Sequence, residues 1–109
     1  MYNISMNRKK RSDRNHVLYL VTNVKTGDTY VGLTVAQGQA YLRSVKVRWQ
    51  KHVSAALNDG KDWAFSKALR SDPTTSWTYQ VLEIVRGRKN AHQRERQLIA
   101  EMTPTLNTF

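Results

Sequence analysis

A chain of 109 residues has the length of one domain with a single core, and its 18 Lys and Arg against 8 Asp and Glu give a formal charge of +10, which points to a polyanionic partner, most often nucleic acid, bound in a salt-sensitive way. The absence of cysteine excludes disulfides and thiolate metal sites, and three histidines do not readily build a closed zinc site. No apolar run approaches the roughly 18 residues of a membrane span, residues 1–15 lack the apolar segment of a signal peptide, and no long amphipathic helix with a bulky apolar face favours a membrane surface, so the expected setting is cytoplasmic.

Residues 1–15 contain Arg8, Lys9, Lys10, Arg11 and Arg14 with little apolar content. They read as a basic, flexible arm, solvated when free and able to track a phosphate backbone when bound. Residues 16–109 then make the single folded domain. Within it, residues 17–32 are two apolar, β-branched runs separated by a polar segment containing Gly27, the pattern of a hairpin. Each run carries a tyrosine, Tyr19 and Tyr30. With an even loop, such as residues 24–27, the two phenols share a face about 5–8 Å apart; an odd loop separates them. Gly32 has no side chain, so a neighbouring group can approach the backbone there.

Residues 34–43, with Gly38 and two glutamines, read as a loop or excursion. From Ser44, taken as a cap, Val45, Trp49, Val53, Ala56 and Leu57 recur at helical spacing until residues 58–60 end the helix. Arg48 and His52 stand four apart and share one face of it. A second helix is expected with Asp62 as cap, burying Trp63 or Phe65 with Ala68 and Leu69, and Asp72 and Pro73 terminate it. Residues 77–85 alternate and are rich in β-formers, which predicts a third strand joining the hairpin. Arg86, Arg88 and Lys89 fall in an expected basic loop over residues 86–89. A final helix is expected to open at Asn90, with Gln93 completing a capping box. Its apolar stripe is Ala91, Leu98, Ile99 and Met102, and Glu95 lies on that stripe. A buried carboxylate is costly unless a cation or donors compensate it, so Glu95 either pairs with an arginine at the edge of the stripe or serves a site.

This order of motifs resembles the GIY-YIG nuclease family. V-L-Y at residues 17–19 matches the first signature and Y-V-G at residues 30–32 the second. Arg48 and His52 match the helix arginine and histidine, Glu95 the metal glutamate, and Asn107 after P-T-L the asparagine near the end. Two features depart from the pattern: Val17 stands where the first signature has glycine, and the segment between Gly32 and Arg48 is longer than in compact members. The resemblance implies an α+β fold, a small three-stranded antiparallel sheet flanked by helices, and metal-dependent hydrolysis of phosphodiester bonds in DNA.

The residues suit that chemistry. Mg²⁺ (or Mn²⁺) commonly takes one or two carboxylates and fills its other positions with water and substrate phosphate, so Glu95 alone suffices as protein ligand. Arg48 can clamp a phosphate oxygen and oppose developing charge. Tyr19 or Tyr30 is the expected base, with Tyr19 preferred, although a phenol of pKa about 10 needs a cation to act at neutral pH. His52 is the rival base or a proton relay, and Asn107 is expected to organise the site by hydrogen bonds. Arg8, Lys9, Lys10, Arg11, Arg14, Arg86, Arg88 and Lys89 are the expected DNA contacts. One such site nicks one strand; a double-strand break needs a dimer or two visits. The competing readings are a basic nucleic-acid-binding module without catalysis, with exposed aromatics stacking on bases, and a basic structural protein whose charge serves solubility alone.

Overall fold

The computed structural model describes residues 13–58, 64–71 and 76–107. Among them the chain is a small α+β fold of three strands and three helices: β1 (Asn15–Asn23), β2 (Thr29–Val35), α1 (Tyr41–Asn58), α2 (Ala64–Ser71), β3 (Trp77–Arg86) and α3 (Arg88–Met102). The sheet order is β2-β1-β3, antiparallel throughout. The third strand therefore joins the hairpin on β1 and leaves β2 at an edge.

Central β1 is buried on both faces, which is why residues 17–21 are a continuous apolar run rather than an alternating one. Its odd-numbered Val17, Tyr19 and Val21 pack in one core cluster with Val45, Trp49 and Ala56 of α1 and Leu69 of α2. Its even-numbered Leu18 and Leu20 pack in a second with Val31 and Leu98 of α3. Helices thus cover both faces, with α1 and α2 on one and α3 on the other. Trp49 completes the first cluster by packing 5.7 Å from Trp77 and 6.5 Å from Tyr79, centroid to centroid. The β1–β3 register skips Leu82, since Leu18 pairs with Glu83 and Tyr19 with Val81, a bulge that resets β3 by one residue.

The tail after α3 closes the free edge of β2. Leu106 N–H donates to Thr29 C=O (2.9 Å), Thr29 N–H to Thr105 Oγ1 (3.1 Å), and the Asn107 amide takes both backbone groups of Val31, each at 2.8 Å. An edge strand that would present bare donors and acceptors is capped by residues 105–107.

Several expectations are corrected. Strand β2 runs to Val35 and α1 starts at Tyr41, so the excursion shrinks to five residues, 36–40. Ser44 lies inside the first turn of α1, where its hydroxyl donates to Ala40 C=O and accepts from Gln37 N–H, both at 3.0 Å. It fastens the preceding turn to the helix rather than starting the helix. Residues 86–89 are no loop: Arg86 ends β3, Gly87 turns the chain at φ 90°, and Arg88 already belongs to α3. Asn90 makes no cap; its amide donates back to Arg86 C=O at 3.4 Å. Met102 is exposed, because the stripe on α3 ends where the helix passes the sheet. Arg14 belongs to the fold rather than to a loose arm, since Gly87 N–H donates to its carbonyl at 3.0 Å. Arg8, Lys9, Lys10, Arg11, Asp62, Trp63, Asp72, Pro73 and the side chains of Leu57 and Phe65 lie outside the described residues. No described helix is long and apolar enough to cross a membrane.

Candidate active site

The register places Tyr19 opposite Gly32 and Tyr30 opposite Val21, so the two tyrosines are diagonal neighbours on one face of the hairpin. Their ring centroids are 6.5 Å apart. The Tyr19 ring lies directly over Gly32: a Cβ built on that glycine would overlap Cζ and Oη of the phenol and come within 2.7 Å of Cε2. Gly32 is the seat of the Tyr19 ring.

From α1, His52 reaches the same face. Its Nε2 shares a 3.1 Å hydrogen bond with the Tyr19 hydroxyl, and its ring meets Tyr30 edge-on at 5.6 Å. Arg48, one turn earlier, is close enough to act on the charge of Tyr19, Tyr30 and His52 alike. Four of the expected residues are thereby gathered by two local periodicities, two along the strands and 3.6 along the helix.

Beside them runs a groove of about 680 Å³, lined by Tyr30 and Leu33 to Val35 of β2, Arg48 and Lys51 of α1, Arg88, His92 and Glu95 of α3, and Arg14 and His16 at the start of β1. Arg14, Arg48, Lys51 and Arg88 face it, and Glu95 is the one acid among its described lining residues. Tyr30 lines the groove, whereas Tyr19 is 0% exposed and stands behind it. Of the two phenols expected as base, Tyr30 is thus the one with access to the groove. Asn107 is spent on Val31, the residue after Tyr30, and does not line the groove; it holds the strand that carries Tyr30.

The electrostatics follow from this burial. Loss of solvent, with Tyr30 beside it, pushes the Tyr19 phenol up, and Arg48 opposes the rise. Burial and then Glu95 push Tyr30 up, again against Arg48. His52 is pushed down to about 4 by burial and by the Arg48 charge, so at neutral pH it is an uncharged imidazole whose Nε2 can accept the hydrogen bond of the Tyr19 hydroxyl. Burial raises the Glu95 carboxyl, with His92 and Arg96 opposing.

Sequence reasoning missed three ionisable groove residues. Lys51 follows Arg48 by three and so lies on the same side of α1, a spacing visible in the sequence. His92 precedes Glu95 by three, and its Nδ1 lies 3.7 Å from Glu95 Oε1. His16 is buried, with Nδ1 2.9 Å from Arg14 C=O; only the β2–β1 pairing brings it to the groove. Of the expected DNA contacts, Arg14 and Arg88 line the groove. Arg86 instead meets Asp13 at 3.5 Å on the surface, and Lys89 is not in the lining.

The donor set fits a hard divalent ion. Glu95 is a carboxylate short of water at the edge of an open, cation-lined groove, where phosphate oxygens can complete the coordination. Among the described residues no cluster of three or more His, Asp or Glu could enclose a metal. No family model, no curated protein and no solved structure matches the chain.

Proposed function

We propose that the chain is a GIY-YIG-type, metal-dependent endonuclease that hydrolyses phosphodiester bonds in DNA. The observation that carries this reading is the meeting of Tyr30, Arg48 and Glu95 at one cationic groove, with the Tyr19–His52 hydrogen bond behind them. A groove built only to hold a polyanion gains nothing from a carboxylate among four cations, because it repels the phosphates that the cations attract.

Arg14, Arg88 and Lys51 hold backbone phosphates, and Arg48 clamps the scissile one and opposes the charge gathering on its oxygens. Tyr30 orients the attacking water. Its phenol becomes a base when cationic charge offsets the burial that raises it, and Arg48 is this chain's own contribution to that offset. Tyr19 and His52, joined by their hydrogen bond, keep Tyr30 in place. A Mg²⁺ or Mn²⁺ ion held by Glu95 would supply Lewis acidity at the phosphate and neutralise the leaving oxygen.

The test is supercoiled plasmid incubated with Mg²⁺ or Mn²⁺ and either the parent protein or Glu95→Ala. Nicked product from the parent and none from the variant, which still retains DNA, is the expected result. Equal cutting by both removes the metal role of Glu95. Salt-sensitive DNA retention with no product under any divalent ion favours the non-catalytic binder, the reading that the four groove cations would support by themselves.

A further inference from the structure

His92 and Glu95 lie one turn apart on α3, both line the groove, and Nδ1 of one is 3.7 Å from Oε1 of the other. We propose that they form a joint nitrogen–oxygen site for a divalent transition-metal ion such as Mn²⁺, so that His92 is a second protein ligand and biases the site away from Mg²⁺. This rests on the metal role given to Glu95 above.

Three observations converge on the pair. Metal bonds to imidazole nitrogen and carboxylate oxygen are each about 2.0–2.2 Å long, so one ion can touch two donors separated by up to about 4.2 Å. The 3.7 Å gap is within that reach without any backbone movement. Residues three apart on a helix project from the same side, which makes His-x-x-Glu a pair of converging donors rather than an accident of chain crossing. The Glu95 side chain is 23% exposed and its neighbour is 47% exposed, so the carboxylate is short of water while the imidazole is open to solvent.

The chemistry of the donors then sets the selectivity. Mg²⁺ demands near-ideal octahedral oxygen coordination and gives up its water reluctantly, whereas Mn²⁺, which also prefers oxygen, is a transition metal and takes an imidazole nitrogen more readily than Mg²⁺ does. Since no third ligating side chain joins the pair among the described residues, the remaining positions belong to water and substrate oxygens. That open site is what distinguishes it from a closed structural metal centre.

The experiment is titration of the DNA-free protein with Mn²⁺, followed by the free-ion electron paramagnetic resonance signal and by competition with Mg²⁺, for the parent, His92→Ala and Glu95→Ala. The parent should favour Mn²⁺, and His92→Ala should lose roughly tenfold or more in Mn²⁺ affinity with Mg²⁺ affinity unchanged. Glu95→Ala should lose both. Pulsed spectra of the bound ion should show nitrogen-14 modulation in the parent and none in His92→Ala; circular dichroism verifies that the variants are folded. An unaltered Mn²⁺ to Mg²⁺ ratio in His92→Ala, no nitrogen modulation in the parent, or no Mn²⁺ binding at all would each overturn the proposal. Mn²⁺ bound as described, with plasmid left intact, would sink the nuclease reading and keep this site; plasmid cutting indifferent to His92→Ala in both metals would do the reverse.

Discussion

The ring of Tyr19 rests on the bare Cα of Gly32, its cross-strand partner, and that contact sets where the phenol can reach His52. Replacing Gly32 by alanine drives a methyl group into a phenol that is fully buried and hydrogen-bonded at its far end. The phenol must leave its place. Gly32→Ala should therefore cost about 1–3 kcal/mol of stability, the usual range for overpacking, and should suppress cleavage further than that loss explains. Denaturant unfolding alongside single-turnover cleavage checks both; a variant as stable and active as the parent would refute the seat.

The two tyrosines should not be equivalent. Tyr30 lines the groove and Tyr19 does not, so Tyr30→Phe should lower the single-turnover rate by about 10²–10⁴, as loss of a proton-handling group does. Tyr19→Phe should lower it less and destabilise the fold more, because it leaves His52 without its phenol partner. A larger rate loss in Tyr19→Phe would restore Tyr19 as the base.

His52 should print a sign on the pH dependence of stability. Its ordinary value is 6.5 and the folded protein holds it at about 4, so between these values the unfolded chain binds the proton that the folded one refuses. The stability contribution is present above pH 6.5 and is lost as pH falls toward 4. Glu95 has the opposite sign, since its raised carboxyl favours folding at low pH and withdraws that support as pH rises. The difference between parent and His52→Gln isolates the histidine: it should widen in the parent's favour on going from pH 4 to 6.5. A flat difference curve means that the imidazole is not shielded in solution.

Asn107 is expected to act on β2 and not on substrate. Its amide accepts from Val31 N–H and donates to Val31 C=O, both at 2.8 Å. Asn107→Ala should cost about 1–3 kcal/mol for the two bonds together and speed hydrogen exchange at the Val31 amide. Asn107→Asp keeps the acceptor but sets a carboxylate against the Val31 carbonyl, and should be no more stable than the alanine variant at pH 7. Val31 exchange unchanged in both would separate the tail from the strand.

Much of the candidate site follows from periodicities of two and 3.6, which are properties of the chain alone. They put Tyr19 and Tyr30 on one face of a hairpin, Arg48 and His52 on one face of a helix, and Glu95 on an apolar stripe where a carboxylate is conspicuous. Element boundaries were less legible at Ser44 and at residues 86–89, because hydrogen bonds to residues outside the local pattern, and a glycine at φ 90°, decide where those helices begin. Which phenol meets the groove, which edge of β1 receives β3, and what Asn107 holds are set by contacts between residues distant in the chain. Residues 31 and 107 are 76 positions apart, and no local pattern carries the information that they meet. The same holds for His16, whose place at the groove comes from strand pairing. The chain's own order thus fixes which chemical groups are at hand, and the packing of α1 and α3 against opposite faces of β1 decides which of them confront one another and which are sealed from water.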